Sequence, residues 1–358
     1  MATSLITQIP IFVFSSQIGD IELSTDQAKI EIVVEDGLTK MFKTMLYAYN
    51  GKVTIVNIGE VLENYMVAND KVFTAFTVYY NTAEGAYIGS FNINTLYCSL
   101  VLDIEAGIFG SYNFLTTLKA KRIPRGATET LWLFHGQERG TAIAHCIYED
   151  DNGDIANISV PFITLAFSDI GVSRIVITYA KLINQITSAG GKVRRLLSFS
   201  MEFNNRHITY YIVDAQANVS FHFNNCFNVS ESIHFYAITS TKTKVNRSTA
   251  LVGGRYLFYD QSVDKTYEVV SASLTDEEAH WVEQLLSSDD VRLGNSANVQ
   301  NLPEVIITDS TCEMSDTDDE LNKVKFTWQF AMKTPHLLKS FRSDTNGIFT
   351  EPYNQTFN

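Results

Sequence analysis

No apolar run in the chain approaches about 18 residues, so nothing in it is long enough to span a bilayer. Basic residues are outnumbered, 27 against 40 acidic ones, and the formal charge of −13 repels phosphate backbones and argues against nucleic acid as a partner. Cysteine is sparse. Cys98, Cys146, Cys226 and Cys312 stand far apart without CxxC spacing, which points to buried reduced thiols rather than a zinc site or a disulfide framework. The glycine pairs in "TSAGGKVRR" and "LVGGRYLF" lack the spacing and following helix of a phosphate loop, and no Gly-x-Ser-x-Gly elbow occurs. The opening "MATSLITQIPIFVFSSQIGD" lacks a basic leader and contains Gln8 and Pro10, so it reads as a first strand and not as a signal peptide.

What is present is apolar and strand-forming. Apolar residues make up 45% of the chain and charged residues 19%, enough to bury a core. At 358 residues, two or three folding units are expected. Short runs rich in Val, Ile, Thr, Tyr and Phe alternate with Asn-Gly and Gly-Gly turns, and the fold class they predict is mostly β, with β-sandwich or β-barrel-like domains. In "KTMLYAYNGKVTIVNI" a two-residue turn at Asn50-Gly51 pairs Tyr49 with Lys52 and puts Leu46 and Ala48 on the face of Val53 and Ile55. Further hairpins are expected around Asn152-Gly153, as a type I′ turn, and around Gly190-Gly191.

Helical signal is concentrated near the end. In "SLTDEEAHWVEQLLSSDD", Thr275 and Glu278 form a capping box, and Ala279, Val282, Leu285 and Leu286 make an apolar stripe. "GEVLENYM" is a shorter candidate with Val61, Leu62, Tyr65 and Met66 on one face. These patterns divide the chain into β-rich units over residues 1–122 and 123–220, an α+β unit over 221–341 carrying the capped helix, and an extended arm over 342–358. "KAKRIPRGATET" reads as the linker, and no repeat period stands out.

The sharpest concentration of acid is Asp316, Asp318, Asp319 and Glu320, between "EVIIT" and a strand in which Val324, Phe326, Trp328 and Phe330 share one face. That places the carboxylates in a hairpin connection, solvated and available for electrostatic docking. They lack the sixth-position glycine of a calcium loop. Glu277 and His280 have Glu-x-x-His spacing but no second copy on a helical bundle. His145 and Cys146 are neighbours in a strand and point to opposite faces, which excludes a dyad. His222 and His234 sit among aromatics as packed or hydrogen-bonded core histidines. No cofactor, metal or catalytic residue is expected.

The C-terminal run "TKTKVNRSTALVGGRYLFYDQSVDKTYEVVSASLTDEEAHWVEQLLSSDDVRL" with "PEVIITDSTCEMSDTDDELNKVKFTWQFA" resembles the strand–strand–helix–strand–strand modules of bacteriophage tail proteins, especially those of Bacteroidales hosts. "YAYNGKVTIVNIGEVLENYM" is similar in style. The resemblance implies a non-enzymatic distal-tail, tail-hub or baseplate subunit of the virion, assembled in the host cytoplasm as a ring with itself and with other tail proteins. An arm containing Phe349, Tyr353 and Phe357 would join such contacts. The alternatives are a glycan-binding β-sandwich attachment module, with Tyr and Trp stacking on host-surface sugars, and a β-sandwich hydrolase with paired carboxylates.

Overall fold

The computed structural model describes residues 3–313 and 322–332. Among these residues the fold is mostly β, built from several sheets without a closed barrel, with four α-helices packed on them. Its first part contains β1 (Ser4–Leu5), β2 (Val13–Phe14), β3 (Ile21–Ser24), β4 (Lys29–Asp36), β5 (Thr39–Tyr47) and β6 (Lys52–Ile55). Helix α1 (Ile58–Ala68), β7 (Phe73–Asn81) and β8 (Tyr87–Leu96) complete it. A five-stranded sheet in the order β5-β4-β7-β8-β2, with β2 parallel to β8, shares one core with the small sheet β1-β3-β6 and with α1.

After α2 (Ala106–Tyr112) come β9 (Ala120–Pro124), β10 (Thr128–His135), β11 (Arg139–Asp150), β12 (Ile155–Ala166) and β13 (Gly171–Thr178). Then follow α3 (Tyr179–Ser188), β14 (Val193–Phe203) and β15 (Arg206–Val213). Their sheet runs β12-β11-β14-β15-β9, with β9 parallel to β15, and β10 pairs with β13 in a second small sheet. Apart from β1, which has no counterpart, this repeats the strand order and pairing of the first unit. The helix follows the small-sheet strand and precedes the central strand in both. Residue identity does not carry this duplication, which is why no repeat period shows in the sequence.

The third part comprises β16 (Val219–Asn224), β17 (Ser230–Phe235), β18 (Ala237–Val252), β19 (Arg255–Ser271) and α4 (Asp276–Ser287). It ends with β20 (Val291–Leu293), β21 (Glu304–Glu313) and β22 (Lys323–Phe330). They form one seven-stranded sheet, β17-β16-β20-β21-β22-β19-β18. An aromatic junction joins all three parts: Phe14 and Leu96 from the first, Phe109 and Phe134 from the second, and Cys226 and Phe227 from the third.

Local chemistry explains the elements that the sequence predicts. Asn50 and Gly51 both have positive φ, 51° and 74°, and Tyr49 pairs with Lys52 across them. Leu46 and Ala48 pack in the same core as the buried Val53 and Ile55, but the hairpin stops at that one pair, because β5 continues against β4 and β6 against β3 in a different sheet. In α4 both capping-box bonds are present, and Ala279, Val282 and Leu285 are buried. In β22, Val324, Phe326 and Trp328 are buried while Lys323 and Lys325 are exposed, and β21 is the antiparallel partner.

Other expectations need correction. At Gly190-Gly191 there is no hairpin. Gly191 N–H donates to Ile186 O (2.9 Å) and Gly190 N–H to Thr187 O (3.0 Å), with Gly190 at φ 90°, so the glycines end α3 as a Schellman cap. The Asn152-Gly153 hairpin exists with a different turn. Only Gly153 has positive φ (91°), and the Asp150 carboxylate accepts from Asn152 N–H and Asp154 N–H, both 2.9 Å. In α1, Leu62 and Met66 are buried, Tyr65 is half-buried and Val61 is exposed. The stretch read as a linker is strand β9 and the start of β10, with Lys121 buried.

Candidate functional site

Asp316, Asp318, Asp319 and Glu320 lie outside the described residues, as do Phe349, Tyr353 and Phe357. Glu313 pairs with Lys323, so the acidic stretch connects β21 to β22. Four other places concentrate polar chemistry.

The first is a closed ionic centre between the second and third parts. Alternation along β9 and β10 turns Lys121 and Glu129 inward, and β17 presents Glu231, Ser232 and His234 to them. Lys121 Nζ lies 2.8 Å from Glu129 Oε2 and 3.4 Å from Glu231 Oε1, and it stands 4.9 Å from the ring centroid of Trp281 on α4. Glu129 Oε1 accepts from Ser232 Oγ (2.6 Å) and contacts His234 Nε2 at 3.0 Å, while His234 Nδ1 is 2.8 Å from Ser220 Oγ. Glu231 accepts from Thr116 Oγ1 (2.9 Å) and Asn225 Nδ2 (2.9 Å).

Burial alone would raise the Glu129 carboxyl, but the Lys121 charge and the His234 and Lys121 hydrogen bonds outweigh it and hold it at about 2. Burial likewise opposes the Lys121 charge, and the two glutamates more than restore it, raising its pKa. These are paired carboxylates, the feature a hydrolase reading looks for. Here they face one ammonium in a sealed site, where they clamp β9 and β10 to β17. Outside the seal, Arg122 grips Glu278 through Nε (2.9 Å) and Nη2 (2.7 Å), so the capping-box glutamate also ties α4 to β9. His222 is buried nearby, and its Nε2 accepts from Ser296 N–H at 3.3 Å. Burial pushes its pKa down to about 4.

The second is on the open face of the β12-β11-β14 sheet. Cys146 is in the core and His145 on the opposite face, as strand alternation requires. His145 Nδ1 lies 2.8 Å from Ser159 Oγ and Nε2 2.9 Å from Glu202 Oε2. This hydroxyl–imidazole–carboxylate row comes from three adjacent strands, and local sequence could not reveal it. It lies on an exposed sheet face, where the strands' own ladder occupies backbone donors that an oxyanion would need. The geometry fixes the imidazole orientation and does not assemble an acyl-transfer site.

The third is a groove of about 440 Å³ at the open end of the third core. Thr241, Tyr267 and Trp328 are direct cross-strand neighbours on its floor, and Tyr267 stacks on Trp328 at 4.2 Å. Asn218, Thr239 and Asn295 add neutral polar groups. Glu268 is held by Lys242 at 2.9 Å and Lys325 at 3.5 Å, which lower its pKa.

The fourth is the β18–β19 ribbon. Among the described residues, only Tyr267 to Val270 of β19 pair with β22, and β18 pairs with β19 alone. The two strands therefore run on together to the Gly253-Gly254 turn, roughly 35 Å beyond the sheet at about 3.3 Å per residue. Val245, Leu251, Tyr256 and Val263 on it are exposed.

Among the described residues, no three His, Cys, Asp or Glu side chains are placed to hold a metal ion, and no helix is long and apolar enough to cross a membrane.

No family model matches the chain, and no curated protein matches it. Among solved structures it is similar to the plexin A4 full extracellular region, domains 1 to 8, at 7% identity and a TM-score of 0.24, with 93% of this chain and 37% of that one covered. The chain thus spans about a third of that structure, and a likeness this low carries no argument.

Proposed function

We propose that the chain is a non-enzymatic structural subunit of a phage tail or baseplate, which works by ring self-assembly and by docking to neighbouring tail proteins of the virion. The β18–β19 ribbon carries this reading. A lone two-stranded hairpin is marginal in water, and among the described residues no third strand lies along this length of it, so its edges suit the addition of a strand from a neighbour. Exposed Val245, Leu251, Tyr256 and Val263 add apolar surface that a neighbour would cover. Residues 239–268 hold five Lys or Arg and three Asp or Glu on a chain of net charge −13. The ribbon is therefore locally basic and complements the acidic body of another copy in head-to-tail contact.

The test removes the ribbon without touching the cores. Joining Thr243 to Lys265 through Asn-Gly preserves their native pairing. Light scattering after size exclusion is expected to show rings or higher oligomers for the full chain and a folded monomer for the shortened one. A full-length chain that stays monomeric and retains no tail component in a pull-down would overturn the proposal.

The groove favours a second reading, a neutral saccharide site. It pairs an aromatic stack with neutral polar groups, and Glu268 is neutralised by two lysines, a lining that suits polyhydroxylated ligands better than ions. Saturation-transfer NMR with maltotriose and chitotriose is expected to show weak binding that Thr241→Lys abolishes. Signals unchanged in that variant would reject the groove as their source.

A further inference from the structure

Cys98 follows β8 in the first part of the chain and Cys226 sits in the turn between β16 and β17 in the third, yet folding brings them together in the aromatic junction. Ser99 N–H donates to Cys226 O at 2.9 Å. That bond sets the Cys226 carbonyl against the residue next to Cys98 and holds the two backbones side by side, the closeness that a disulfide requires. Both residues are pinned. Ser15 Oγ accepts from Cys98 N–H (3.0 Å) and donates to Cys98 O (3.1 Å), and Cys226 N–H donates to Gln284 Oε1 (3.0 Å). Cys98 Sγ donates to Leu100 O at 3.2 Å, and the neighbouring Cys98 thiol together with burial pushes the Cys226 thiol far above its ordinary range. Phe14, Phe109 and Phe227 close over the pair.

We propose that Cys98 and Cys226 form an intramolecular disulfide site that closes when the protein meets small-molecule disulfides. One cysteine thiolate attacks a sulfur of oxidised glutathione, breaking its S–S bond and releasing one glutathione thiolate, which takes up the proton lost by the protein. The second cysteine then attacks the mixed disulfide. A protein S–S bond forms and a second glutathione leaves, so two protein thiols are oxidised and one glutathione disulfide is reduced to two thiols. The bond staples the first part of the chain to the third. Because the high Cys226 pKa leaves almost no thiolate there and both residues are buried, exchange proceeds through local opening, and the pair stays reduced wherever glutathione is kept reduced. This inference is independent of the assembly reading.

The full-length chain is incubated with oxidised glutathione at mildly alkaline pH, a few degrees below its thermal midpoint so that local opening is frequent, and then mapped by mass spectrometry. The expected result is a loss of about 2 Da confined to a linked peptide pair containing Cys98 and Cys226, and a midpoint raised by roughly 5–10 °C. Cys146 lies in the second core and Cys312 near its own strand pair, so a variant with both replaced by alanine should still form the link. Cys98→Ala and Cys226→Ala should each abolish it. Because alanine in this packed site could unfold the chain, the double Cys146→Ala, Cys312→Ala variant decides the matter alone. If its two remaining cysteines stay reduced, carry separate glutathiones, or link with a lowered midpoint, the proposal fails.

Discussion

Replacing Lys121 with methionine is expected to lower stability by about 3–5 kcal/mol, the cost of leaving buried carboxylates without their counter-charge. Glu129 and Glu231 both face the Lys121 ammonium, and all three side chains are no more than 6% exposed. Methionine matches the lysine stem in volume, so lost packing contributes little, and the loss is electrostatic. The same reasoning predicts rescue. A Lys121→Met, Glu129→Gln, Glu231→Gln variant removes the unpaired charges and should recover most of the loss, because a buried ion network adds little over a neutral one of equal shape. Urea midpoints, with hydrogen exchange at β9, β10 and β17 to localise the effect, measure both. A single variant within about 1 kcal/mol of wild type, the size of an exposed pair, would show that the centre is open to water. A triple variant as unstable as the single one would show that packing, not charge, is lost.

Acid is expected to weaken the fold in two stages. His222 titrates at about 4 in the folded protein against 6.5 for the free side chain, so below pH 6.5 the unfolded chain takes up the proton first. Its stabilising effect is complete above pH 6.5 and is lost as pH falls to 4, by at most roughly 3 kcal/mol. Glu129 titrates at about 2 against 4.5, again depressed. Its contribution is complete above pH 4.5 and is lost as pH falls towards 2. The thermal midpoint should therefore fall between pH 6.5 and 4 and fall again below 4.5. His222→Gln keeps an acceptor for Ser296 N–H but cannot titrate, so it should flatten the upper stage and leave the lower one. A wild-type midpoint that stays level from pH 7 to 4.5, or an upper stage unchanged in the variant, would refute the assignment.

The elements legible in the sequence are those written within a few neighbouring residues. Asn50-Gly51 specifies its turn because both positions adopt positive φ, which asparagine and glycine tolerate. Thr275 and Glu278 specify the start of α4 because each satisfies the other's backbone. The period-two run ending at Trp328 specifies a strand because one of its faces is buried. Gly190-Gly191 shows where this reasoning stops. Paired glycines are compatible with a hairpin turn and with a helix cap, and only the packing of Leu182 and Ile186 selects the helix.

Tertiary structure alone decided the rest. The duplication of the first two parts is preserved in strand order and not in residue identity. The β18–β19 strands look like any other pair until the sheet is seen, among the described residues, to adjoin only one end of them. Lys121, in a basic stretch that reads as a linker, is buried because Glu129 is eight residues ahead and Glu231 comes from another part of the chain. The meeting of Cys98 and Cys226 in the aromatic junction and the Ser159–His145–Glu202 row arise in the same way. In each case the interaction energy depends on a separation of a few ångströms between residues distant in sequence. Periodicity and turn chemistry, which act over one or two turns of chain, contain no information about that separation.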